Sequence, residues 1–454
     1  MNVLQKKTEL SSEEVKEPFL RAFSKIEKGG GKDFPEWLKN LRQNALSKFA
    51  ILGFPNTHHE AWKYTSVETI IHTLYQFLTA ETAKNLASKK DLNSLPIPLS
   101  GPTLVFVNGF FSRDLSKLNL RSSSLKIGSL KEAILKDPDG FKEYFPSKDG
   151  YENSIFRALN MSLFEDGAFV HIPPNFIFEE PIHLVFIAPS SQKNLISFPR
   201  NLIVAESGSK ATIIESYVSF PENTTFSNAF TQVIVKNEAS INYYQIQNQS
   251  EKAFHVGETE MVLNEKTHLS HCSLTLSGRI VRNNLSVQIL GRESEANLTG
   301  LYLTSHEQHV DNTTVIDHKM GESTSRQLYK GVLNGKSTGV FSGKIFVRKN
   351  AQKTDAAQTN KNLLLSKEAK VDMKPQLEIF ANDVKCTHGA AVGELEDHLL
   401  FYLQSRGLGS DTARHLLIRG FIHEVTDQIK VQKIKDYLNR VLLTPFEEGK
   451  EALR

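Results

Sequence analysis

Two patterns of apolar spacing divide the chain. At the start, apolar residues fall at helical intervals. Phe19, Phe23 and Ile26 follow a capping-box-like Ser11-x-x-Glu14. Trp37, Leu41, Ala45 and Phe49 are each four apart and make one stripe, which Gly53-Phe54-Pro55 stops. The stretch 60–78 reads as helical in part, and the three prolines of 92–102 read as a linker. In 103–112, β-formers flank Asn108-Gly109, a hairpin-turn signal, and 129–145 reads as helix again.

From about 165 to 395 the pattern changes. Short runs such as "NLIVA", "ATIIESYV", "INYYQIQ" and "NLTGLYL" alternate with polar turns. Val, Ile, Thr, Tyr and Phe dominate them, as strands require. No long helix interrupts them, which argues against a doubly wound α/β fold. The turns recur: a polar residue precedes a small one at Lys210-Ala211, Glu238-Ala239, Lys266-Thr267, Glu295-Ala296 and Ser323-Thr324, in steps of 28, 28, 29 and 28. A later pair, Ser337-Thr338 and Gln352-Lys353, falls at about half that step. This repeat predicts a solenoid of stacked coils, best a parallel β-helix; an antiparallel sandwich with a fortuitous period is the alternative. After Gly393 helical spacing returns. One helix is expected to end at Arg406-Gly407, and Ser410-Asp411 to cap a second with Ala413, Leu417, Phe421, Val425 and Ile429 on its apolar face. The expected organisation is a helical region over 1–100, a β-helix core over 101–395 and a helical region over 396–454.

Composition narrows the function. At 454 residues, with 39% hydrophobic and 23% charged residues, the chain can bury a large core. A net charge of +3 does not point to a nucleic-acid or anionic-membrane partner. The first residues lack the apolar run of a signal peptide, and runs such as 182–188 are too short to cross a bilayer. Two cysteines, Cys272 and Cys386, make no disulfide framework, so a reducing cytoplasm is the expected compartment.

Three candidate motifs fail on spacing or context. In 331–338, Gly331 lies one residue too close to Gly335 for a phosphate loop, and strand-like rather than helical sequence follows Lys336-Ser337. His306 and His309 are three apart in strand-like sequence, unlike the helical four-residue spacing of a zinc protease. His309, Asp311, Asp317 and His318 read as a polar ladder rather than a metal site. The acids of 293–297 would suit a carbohydrate-active β-helix enzyme only if others converged on them.

Cys386-x-His388 is a sharper signal. If 376–389 is a strand, Val384, Cys386 and His388 line one face, with Cα atoms two apart at about 6.5–7 Å. A nearby imidazolium would lower the thiol pKa. Two ligands do not complete a tetrahedral site, so the others must come from elsewhere or from another chain. The motif lies at the end of the strand repeat, where an open edge invites pairing. A buried thiol with a nearby histidine is the competing reading.

The stretch 374–408, "KPQLEIFANDVKCTHGAAVGELEDHLLFYLQSRGL", closely resembles the C-terminal signature of the SufB/SufD family of the SUF iron–sulfur cluster assembly system, on its SufD side. The likeness extends to 308–318, 329–347, 352–366, 156–173 and 53–65, nearly the whole chain. It implies a right-handed parallel β-helix between two helical regions, acting as a scaffold and not as an enzyme. It further implies pairing with a SufB-like paralogue through the β-helix ends, with a SufC-like ABC-type ATPase on the C-terminal helices. That places partner contacts on Tyr402, Arg406, Gly407, Leu417 and Phe421. In such a complex ATP binding remodels the interface, where a nascent cluster is built. His388 is then the expected cluster ligand facing a SufB cysteine, and Cys386 is secondary or structural. Further acidic and histidine ligands of the SufB counterpart are absent here, although a SufB-like cluster-building subunit is the alternative within the family. A homodimer is allowed where the partner is missing. The family complex is linked to reduced flavin, but the sequence carries no flavin motif and none is assigned. Cys272 has no motif partner and reads as a buried thiol.

Overall fold

The computed structural model describes residues 12–84, 86, 92, 101–118, 124–145, 154–221 and 223–441. Ser11 of the expected capping box and most of the 92–102 linker lie outside them. From Ala168 to Glu394 the chain winds as a parallel β-solenoid of about eight coils, each giving one strand to each of two facing sheets. Lys210, Ser240, His268, Glu295, Thr324, Asp355 and Lys385 stand side by side at equivalent positions of one sheet. The true period therefore runs between 27 and 31 residues.

The turn code is sharper than the sequence pattern had it. Gly208, Glu238, Lys266, Glu293, Glu322 and Lys353 adopt left-handed backbone, with φ between 55° and 70°. Each precedes a small buried residue: Ser209, Ala239, Thr267, Ser294, Ser323 and Thr354. Glu238-Ala239 and Lys266-Thr267 stand at the expected positions. The other pairs lie one or two residues from their expected positions, because turns of unequal length shift the register between coils. The buried residues bond from coil to coil: the Thr267 hydroxyl donates to Ser294 Oγ at 3.1 Å, and the Ser294 amide to Ser323 Oγ at 3.3 Å.

Helices cover part of each outer face. The helix Glu36–Leu52 buries Leu38, Leu41, Ala45 and Phe49 and ends at Gly53, whose φ is 67°. With Ser12–Lys28 and Ile155–Leu163 it covers the outward residues Leu202, Val204, Phe226, Phe254 and Val256 of one sheet. The stretch 60–78 forms short helical turns and a two-residue strand, Gln76–Phe77, and 129–145 a helix over Leu130–Lys136 followed by a 3-10 turn. The hairpin is present: Thr103–Val107 and Phe110–Lys117 flank Asn108 (φ 49°) and Gly109 (φ 90°).

On the other sheet, Ile214, Tyr244, Ile246, Cys272, Leu274 and Leu301 lie beneath the helices Ser410–Thr426 and Gln432–Val441. Cys272 is buried there, and desolvation pushes its thiol up to about 11. The buried stripe of Ser410–Thr426 is Ala413, Ile418, Ile422 and Val425, turned about one residue from the expected face. Gly409, not Ser410, stands at its cap. Among the described residues no helix is long and apolar enough to cross a membrane.

Candidate functional site at the terminal coil

Cys386 and His388 lie on the last strand, Lys385–Glu394. The segment 376–389 is not one strand: Lys370–Ile379 belongs to one sheet and Lys385–Glu394 to the other, with Val384 in the turn between them. The shared face survives, because both residues belong to the second strand.

Register shows which way that face points. Ile241, Leu269, Ala296, Ser325 and Ala356 form a buried column that ends at Cys386. Tyr243, His271, Leu298, Gln327 and Gln358 form the next column, ending at His388. The aliphatic members of both columns face the solenoid core. Strand alternation carries this direction into the last coil, so Cys386 and His388 continue interior columns at the point where the interior ends. Cys386 is half-buried against the core and His388 is exposed. A Cβ added at Gly389 or Gly393 would meet nothing within 4 Å. Among the described residues the strand pairs only with Asp355–Leu364, leaving one ladder of backbone groups open. Ile379, Phe380 and Val392 are exposed beside it.

The thiol is not activated. Burial is the largest cause that raises the Cys386 pKa, and the charge of Asp355 acts in the same direction. This reverses the expected lowering by an imidazolium. Among the described residues no three His, Cys, Asp or Glu side chains gather closely enough to hold a metal ion.

The C-terminal candidates divide. Tyr402, Arg406 and Gly407 are exposed at the end of the helix Asp397–Ser405, which buries none of its residues and leaves Phe401 72% exposed. Gly407 has φ 90°, so the expected helix stop holds. Leu417 and Phe421 are half-buried. Phe421 packs on the solenoid, where Lys330 Nζ lies 4.9 Å from its ring centroid and donates to its carbonyl at 2.6 Å.

The remaining motifs resolve as structure. Gly331 is within a strand, where a Cβ would collide with the Tyr302 ring and the Asn362 carboxamide oxygen, and Gly335-Lys336 is a coil turn. His306 sits in a turn with φ 52°. His309 and Asp311 form the predicted polar ladder, but with a distant segment. Thr65 Oγ1 lies 2.9 Å from His309 Nε2 and donates to Asp311 Oδ2 at 2.5 Å. Arg282 pairs with Asp311 and stacks 4.0 Å from the Trp62 ring centroid, while Glu60 pairs with Lys374 on the last coil. Asp317 instead pairs with Arg348, and His318 turns inward to Ser325. Spacing could not reveal the Glu60–Thr65 latch, because its partners lie more than 200 residues away.

Comparison with known proteins agrees with this architecture. Residues 186–421 match the family described as SUF system FeS cluster assembly, SufBD core domain, and residues 13–184 match the SufBD protein N-terminal region. The chain is 30% identical over 412 residues to an iron–sulfur cluster assembly SufBD family protein of Synechocystis, covering 89% of this chain and 90% of that one. It is 31% identical to the iron–sulfur cluster assembly protein SufD of Escherichia coli, over 87% of this chain and 89% of that one. The figures for SufD of Bacillus subtilis are 27%, 94% and 97%. The matches run through solenoid and flanking helices alike, and the chain therefore belongs to the SufB/SufD family of the SUF iron–sulfur cluster assembly system.

Proposed function

We propose that this protein is a non-catalytic, cytoplasmic scaffold subunit of an iron–sulfur assembly complex. Its terminal coil pairs with a SufB-like paralogue, and its C-terminal helices carry a SufC-like ATPase. The observation that supports this most is the open last coil, where Cys386 and His388 end two interior columns beside an unpaired strand edge. A second chain continuing that edge would cover both side chains and could add the missing ligands. His388 is the primary ligand for the nascent cluster, which is cargo rather than a resident cofactor. Cys386 is secondary, in keeping with its raised pKa. Flavin is not assigned.

The exposed helix Asp397–Ser405, with Leu399, Phe401 and Tyr402 outward, supports the ATPase contact. Arg406 and Gly407 extend that surface. Leu417 and Phe421 support it from the packed side by fixing the following helix to the solenoid. Without the paralogue, the same open edge is available to a second copy of this chain.

Co-purification with SufB-like and SufC-like partners tests the proposal. A stable ternary complex is the expected result. A chain that stays monomeric in the presence of both overturns it.

A further inference from the structure

A cavity of about 380 Å³ lies where the N-terminal helices meet the first coil, far along the chain from the terminal strand. That size falls within the ordinary range of small-molecule sites. Its described walls are largely apolar: Ile26, Phe77, Phe110, Leu163, Ile196 and Phe198. Glu165 reaches it from the segment after the helix Ile155–Leu163.

Glu165 and its neighbour Asp166 have opposite surroundings. The Asp166 carboxylate accepts from Ser129 Oγ and from the amides of Phe111, Lys131 and Gly167, at 2.7 to 3.2 Å. It is a saturated structural group. Among the described residues, Glu165 accepts no hydrogen bond and has no ion pair within 4 Å. Lys131 and Arg42 act on it through space but do not bond it: the Lys131 ammonium, also in the cavity wall, donates to the Gly30 carbonyl at 3.1 Å and lies 5.6 Å from the Phe34 ring centroid. A carboxylate beside apolar walls without a donor is costly. An ammonium or N–H group entering the cavity would remove that cost through a charge-assisted hydrogen bond.

We propose that this cavity binds a small organic amine, its apolar body against Phe77, Phe110 and Phe198 and its nitrogen donating to the Glu165 carboxylate. The site is independent of the scaffold function proposed above. Burial pushes the Glu165 carboxyl up to about 7 and outweighs the opposing charges of Lys131 and Arg42, which accords with an acid that lacks a direct hydrogen-bond donor. Gly30 forms one edge. A Cβ there would lie 2.8 Å from Glu165 Oε2 and 2.9 Å from Lys131 Nζ, so a larger side chain obstructs the polar end of the cavity by moving flexible groups, not backbone. Lys25, exposed at the rim, and Lys131 in the wall offer the competing chemistry of an anion site.

The test is calorimetric titration of the full chain with tryptamine, and with indole-3-propionate as the anionic analogue. Saturable tryptamine binding is expected, with Glu165→Gln weakening it at least about tenfold and Gly30→Leu abolishing it. Thermal melts identify any variant that has lost its fold. Glu165→Gln swaps an unbonded, half-buried group for one of the same shape, so it keeps the test open if Gly30→Leu fails to fold. Three results overturn the proposal: no saturable tryptamine binding below about 1 mM, equal or tighter binding of indole-3-propionate, or unchanged affinity in folded Glu165→Gln.

Discussion

Gln358 and His388 are register partners on adjacent parallel strands, yet Gln358 is buried and His388 is exposed. They differ because another coil stacks beyond Gln358 and, among the described residues, none stacks beyond His388. Replacing His388 with Ala therefore removes a side chain that supports no packing. The variant should match the parent in melting temperature and in partner assembly, with stability changed by no more than about 0.5 kcal/mol. Cluster content of the co-expressed complex, read from its visible absorbance and iron analysis, should fall severalfold. Unchanged cluster content would reject the ligand role.

The Lys330–Phe421 contact fastens a C-terminal helix to the solenoid. The Lys330 side chain is 5% exposed and also pairs with Glu424 at 2.7 Å. Lys330→Ala should cost about 1–3 kcal/mol, seen as a lower urea midpoint. Phe421→Asp should release the helix and weaken ATPase binding. Circular dichroism separates undocking, which preserves helix content, from melting, which does not.

Arg282 and Asp311 form a nearly dry ion pair beneath Trp62, their side chains 4% and 3% exposed. Arg282→Ala leaves Asp311 buried with Thr65 and Thr313 as its remaining hydrogen-bond partners. Truncating one partner of a buried pair costs about 3–5 kcal/mol. Limited proteolysis near Glu60–Thr65 should accelerate in this variant. A cleavage rate equal to the parent's would show that the latch does not depend on the pair.

His271 is buried among the described residues with no hydrogen-bond partner at either ring nitrogen, and it stacks on Tyr243. Burial lowers its folded pKa to about 3, below the unfolded value of 6.5. Below pH 6.5 the unfolded chain takes up a proton that the folded chain refuses, so stability falls with pH until about 3. His271→Phe keeps the stacking ring and removes that uptake. The variant should be at least as stable at neutral pH, and its advantage should grow by about 1.4 kcal/mol per pH unit below 6.5. Parallel pH–stability curves for the two proteins would contradict this.

Local rules made much of the architecture legible. Apolar spacing located the helix Glu36–Leu52, because a stripe of Leu41, Ala45 and Phe49 has one way to be buried. Asn108-Gly109 located a hairpin, because its turn needs two residues at positive φ. The strand repeat announced a solenoid, and the long family-like stretches announced the SufB/SufD family. The exact turn residues escaped, because coils of 27 to 31 residues let neighbouring polar–small pairs mimic the code. The break between Ile379 and Lys385 escaped as well, although Asn382-Asp383 are turn formers, because the alternation around Cys386 reads on through them.

The sequence by itself determined the coil-forming pattern, the helical ends and a Cys-x-His pair two residues apart on one strand face. Tertiary structure decided what that face meets. Strand pairing carried Cys386 and His388 to the end of interior columns, and the absence of a further coil among the described residues left them accessible. The same packing joined Thr65 to Asp311 and left Glu165, among the described residues, without a hydrogen bond beside a cavity. Each depends on contacts between residues distant in sequence, which local spacing does not encode and only the closed packing of the coils brings together.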